Sequence, residues 1–113
     1  MGIKDYVGDI LKKQLTIRKI LSSRVQTELF PDCFVISMKH APEESTGLSF
    51  EDVQILDCIV NLLGMYGVKF TSQMFLYDRN SKKIDTIKFN LQLSEYEIIN
   101  NGLKEIVNSK PTN

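Results

Sequence analysis

A chain of 113 residues, 42% hydrophobic and 25% charged, has the composition of a single globular domain, which argues against an intrinsically disordered or fibrous chain. Fourteen basic and fourteen acidic residues cancel, so no net field draws it to nucleic acid or to a membrane surface. The charge is uneven along the chain: residues 1–25 sum to +4, residues 26–60 to −6 and residues 61–113 to +2.

The opening residues carry no secretory signal pattern, because Lys4, Asp5 and Asp9 interrupt the apolar positions. A cytoplasmic location is therefore expected. Residues 3–29 read as an amphipathic N-terminal helix, with Ile3, Val7, Ile10, Leu11, Ile17, Leu21, Val25 and Leu29 on one side. Pro31 stops the pattern and pushes Phe30 toward an extended backbone. Cys33 to Lys39 is a short, nearly continuous apolar run, which predicts a central strand buried on both faces. Residues 40–48 then form a polar loop with Pro42 and Gly47.

Ser49 to Tyr66 is the segment with the most to bury. Ser49 is a good N-cap, and Glu51 and Asp52 suit the positive end of the helix dipole. Gln54, Asp57 and Asn61 form one thin polar stripe among ten apolar residues, which predicts a helix buried on most sides. Gly67 supplies the left-handed residue that commonly ends a helix.

Beyond Gly67 the period changes to two. Val68, Phe70, Met74 and Leu76 alternate with polar residues, Asp78 to Lys82 supplies a turn, and Ile87, Phe89, Leu91 and Leu93 resume the alternation. This is a β-hairpin with one apolar face. A C-terminal helix is expected over 95–108, opened by a Ser94–Glu97 capping box. The whole chain 1–113 then reads as a single small α+β domain of order α-β-α-β-β-α. The sheet and central helix occupy residues 33–93, and a three-stranded mixed sheet has helices packed mainly on one face. The exposed hairpin edge offers one route to a homodimer.

The chemistry-bearing residues are sparse. His40 is the lone histidine, and Cys33 and Cys58 have no CxxC spacing, so they read as buried thiols and not as a zinc or redox pair. No cofactor, metal site or catalytic group is expected, and an enzyme is not predicted, although a motif-poor small ribonuclease would escape this argument. The longest apolar window is too interrupted by polar residues to span a bilayer. What remains is surface charge: Lys12, Lys13 and Lys19 on the first helix, Arg79, Lys82 and Lys83 at the hairpin turn, and Glu43 and Glu44 in the acidic loop. The segment Ile87 to Leu103 resembles the strand-to-helix junction of ribbon-helix-helix repressors but lacks that family's second helix, so the family is not assigned. The expectation is a non-enzymatic protein-interaction module, an adaptor, inhibitor or regulator with another protein as partner. The alternative is a nucleic-acid-binding regulator that uses the basic hairpin 79–88 and the basic N-terminal helix.

Overall fold

The computed structural model describes residues 4–39, 49–77 and 84–109. It is an α+β domain with three helices, α1 (Tyr6–Ile17), α2 (Phe50–Met65) and α3 (Leu93–Asn108). The strands are β1 (Val25–Leu29), β2 (Cys33–Lys39), β3 (Ser72–Tyr77) and β4 (Ile84–Gln92), and a single 3-10 turn spans Ser22–Arg24. The sheet order is β1-β2-β4-β3, antiparallel throughout. β2 and β3 do run the same way, as expected from a crossover through α2. They never pair, because β4 lies between them and opposes both. The sheet is therefore antiparallel and not mixed.

The fourth strand comes from the stretch expected to be the second half of the N-terminal helix. The helix over 3–29 is corrected to α1 alone, and its end has a clear cause. Lys19 adopts a left-handed backbone with φ 62°, and its N–H donates to Thr16 O at 3.0 Å while Ile20 N–H reaches back to Leu15 O at 2.9 Å. These two bonds make a Schellman motif, closed by the buried pair Leu15 and Ile20. The same motif ends α2: Gly67 at φ 63° donates to Gly64 O and Val68 to Leu63 O, both at 3.1 Å. Glycine is at home there. Lysine carries a Cβ penalty in the same conformation, so Lys19→Gly is expected to raise stability by about 0.5–1 kcal/mol. A thermal melt reads this directly, and a lowered melting temperature would mean that the Lys19 side chain holds something the backbone does not explain.

The other helix starts divide. Ser49 caps α2 as expected, accepting from Asp52 N–H at 3.1 Å while the Asp52 carboxylate accepts from Ser49 N–H at 2.8 Å. The Ser94–Glu97 capping box does not form. β4 stays paired through Gln92, opposite Cys33, and α3 begins at Leu93, so Ser94 is already inside the helix. β4 is also paired on both sides within the chain, unlike a free ribbon. The edge expected at the hairpin belongs to β3, and a second edge lies at β1.

The core lies between the sheet and the helices. Phe34, Ile36 and Met38 of β2 and Ile87, Phe89 and Leu91 of β4 turn to it, directly opposite one another in the register. Val7, Leu11 and Leu15 of α1, Ile55, Ile59, Leu62 and Leu63 of α2, and Tyr96, Ile99 and Leu103 of α3 close it. β2 is an internal strand as expected, but it is not buried equally on both faces. Val35 is buried on the far face, whereas Cys33 and Ser37 are half-exposed and Lys39 is exposed. No helix among the described residues is long and apolar enough to cross a membrane.

Candidate functional site

The charged surfaces anticipated from sequence are rearranged by the fold. Lys12 and Lys13 are neighbours on α1 and so point about 100° apart, Lys12 half-buried and Lys13 exposed. Lys19 is exposed beyond the helix end. Glu43, Glu44, Arg79, Lys82 and Lys83 lie outside the described residues, as does His40.

Two of the opposite charges close on each other within the chain. Arg24, from the 3-10 turn, is buried and forms ion pairs with Asp52 and, at 2.5 Å, with Glu51 Oε1. Its Nε and Nη2 also donate to Lys39 O at 3.0 and 2.9 Å. One guanidinium therefore ties the start of β1, the end of β2 and the first turn of α2 together. Asp52 is fully buried, and its carboxylate also caps the helix by accepting from Ser49 N–H. The group is structural, and it removes Arg24 and Asp52 from any docking surface.

Other buried polar groups also serve the fold. The Asp5 carboxylate caps α1 through Gly8 N–H at 3.0 Å and accepts from the Thr27 hydroxyl on β1. Asn100 of α3 accepts from Tyr6 N–H at 2.8 Å and donates to Lys4 O at 2.9 Å, holding the start of α1. Tyr96 stacks on Phe34 with ring centroids 4.0 Å apart. Burial, and then the nearby Asp5 carboxylate, pushes its hydroxyl up to about 12. A phenol so placed stays protonated and beyond the reach of a substrate.

The thiols follow the same logic. Cys58 is buried as expected, and burial raises it; the Arg18 charge pulls the other way and Asp57 adds to the rise. Cys33 is half-exposed, against expectation, because it falls on the sheet face that the helices leave open. Burial and the adjacent Asp32 raise it as well, so neither thiol is activated as a nucleophile. Among the described residues no cluster of His, Cys, Asp and Glu could hold a metal ion.

The surface that stands out is apolar, and the sequence reading missed it. α2 buries one side only. On the other, Phe50 is 79% exposed, Val53 44%, Val60 52% and Met65 71%. Phe50, Val53, Val60 and Gly64 follow one another at helical spacing, interrupted by exposed Asp57. The row runs on into a shallow groove of about 330 Å³ lined by Val60, Leu63, Gly64, Val68, Lys69 and Phe70. Phe70 packs edge-on against the core residue Phe89, with centroids 5.3 Å apart, which fixes the groove's far wall. The signal in the sequence was the excess itself: a helix with ten apolar residues needs more cover than three short companions supply. No family model, curated protein or solved structure matches the chain.

Proposed function

We propose that the chain is a small, cytoplasmic, non-enzymatic protein-interaction module that receives an amphipathic helix of another protein on the outward side of α2. The observation that carries this is the row from Phe50 to Phe70, large apolar side chains left in water on a helix whose other side is core. Groove-and-helix recognition uses apolar anchors three, four and seven residues apart, which matches the spacing presented here. Asp57 in the middle of the row favours a Lys or Arg on the partner.

The test is affinity capture by the wild-type chain and by Val60→Asp and Phe50→Ser variants, with a nuclease-treated arm. Both positions are exposed, so folding stability should stay within about 0.5 kcal/mol of wild type in a parallel melt. The expected result is one stoichiometric protein that survives nuclease and falls at least about tenfold with either variant, a loss of about 1.4 kcal/mol. Capture unchanged by both variants would overturn the reading. Nuclease-sensitive material, released steeply by salt, would instead favour the nucleic-acid alternative through Lys12, Lys13, Arg79, Lys82 and Lys83.

A further inference from the structure

The two edges of the sheet differ. The pairing of β3 with β4 is interrupted by an irregularity between Leu76 and Tyr77, whereas β1 runs through five successive partners on β2 without a break. β1 has no lysine, proline or bulge, three of the devices that commonly keep a free edge from pairing with another strand, and its one charged side chain is Glu28.

One bond fixes which backbone groups face outward. Phe30 N–H donates to Cys33 O at 2.8 Å, so these residues form a hydrogen-bonded pair at the turn. Bonded and non-bonded pairs alternate along an antiparallel ladder. Glu28 with Val35 and Gln26 with Ser37 are therefore bonded, while Val25, Thr27 and Leu29 turn their N–H and C=O groups away from β2. The Val25 N–H is taken by Ser22 O. Among the described residues, that leaves two N–H groups and three carbonyls in a row along the edge.

We propose that this edge binds a second copy of the chain, β1 against β1 antiparallel about a two-fold axis at Thr27, fusing two four-stranded sheets into one. In that register Thr27 exchanges two hydrogen bonds with its own counterpart, and Leu29 N–H of each copy meets the Val25 carbonyl of the other. Gln26 of one copy stands opposite Glu28 of the other, an amide against a carboxylate, and both residues are exposed. Sliding by two residues one way sets Glu28 against Glu28. Sliding the other way carries Leu29 off the strand and onto Ser23 of the 3-10 turn. The strand is thus self-complementary in one register. α1 leaves room for the approach: Gly8 is the residue above the Thr27 hydroxyl, while Val7, Leu11 and Leu15 turn into the core, which sets the helix axis inboard of the edge. Five residues make a small interface, so the dimer is weak and concentration-dependent. This inference rests on β1 and is independent of the α2 reading.

Sedimentation equilibrium on the wild-type chain, Gln26→Lys, Gln26→Glu and Leu29→Pro tests it. Gln26 donates to Ser23 O, a bond that lysine can still make and glutamate cannot, so a parallel melt of each variant separates a change in folding from a change in pairing. Lysine faces Glu28 across the axis and tightens the dimer; glutamate faces it and loosens the dimer. Two such pairs should separate the dissociation constants by about tenfold at low salt. Leu29→Pro removes an outward-facing N–H together with a side chain that is 42% exposed, at an edge position where proline is tolerated, so it yields a folded monomer with unchanged circular dichroism. A wild-type chain that stays monomeric at millimolar concentration overturns the proposal. So does a dimer indifferent to the charge at position 26.

Discussion

Asp52→Ala is expected to lose roughly 3–5 kcal/mol of folding stability in a denaturant melt, the range for breaking a buried ion pair from one side. Three things fail together. Arg24 keeps its charge in a buried site where, among the described residues, Glu51 and the Lys39 carbonyl remain as its partners. The Ser49 N–H loses its acceptor, and the first turn of α2 loses the carboxylate that complements its dipole. A domain of this size holds about 5–15 kcal/mol in total, so the variant should be partly unfolded at physiological temperature. A double change, Arg24→Met with Asp52→Leu, should lose less than Asp52→Ala alone, because no uncompensated charge stays buried. A loss below about 1 kcal/mol for Asp52→Ala would mean that water reaches the pair, and the staple assigned to Arg24 would fall.

Gly102→Ala is the second large effect, and its sign is the informative part. Glycine inside a helix is ordinarily worse than alanine by about 1 kcal/mol, so propensity alone predicts a gain. Here a Cβ would sit 2.3 Å from Tyr66 Cε1 and 3.0 Å from Cζ. The Tyr66 ring reaches from the end of α2 onto α3, it is packed against the core, and its buried hydroxyl has no hydrogen-bond partner among the described residues. It cannot swing aside without opening that contact. We expect a net loss of about 1–3 kcal/mol, the usual scale of overpacking. In a Tyr66→Ala background the same substitution should become stabilising. Destabilisation that persists without the ring would place the cause in α3 itself.

The parts of the fold legible in the sequence are those where a local signal had one interpretation. Ser49 with Asp52 and Gly67 bound α2 because cap chemistry is carried by residues adjacent in the chain. Ile87, Phe89 and Leu91 alternate too strictly to be helical, and all three are core. β1 was hidden by arithmetic. Leu21, Val25 and Leu29 are spaced by four, which puts residues on one face of a helix and, four being even, on one face of a strand as well. Only the turn at Lys19 separates the two readings, and lysine gives no warning of a left-handed backbone. The site was harder to read for a related reason. Counting charges placed a basic front against an acidic middle, but whether Arg24 and Asp52 face water or each other depends on β1 lying beside β2. The apolar row on α2 is visible as composition, but periodicity alone does not tell an apolar side that is covered from one left in water.

The order of the strands bears on how the chain comes to fold at all. β2 and β3 are two places apart in the sheet, and the gap is filled by the strand made last. A nascent chain that has emerged only as far as Tyr77 holds a β1–β2 hairpin with an open side and a β3 with nothing to pair with. Neither can finish until residues 84–92 insert between them. Sheet completion is thus late: β4 can pair with β3 as a local hairpin, but its pairing with β2 joins residues as distant as Ile36 and Phe89, the kind of contact that slows folding and lengthens exposure of bare strand edges during synthesis.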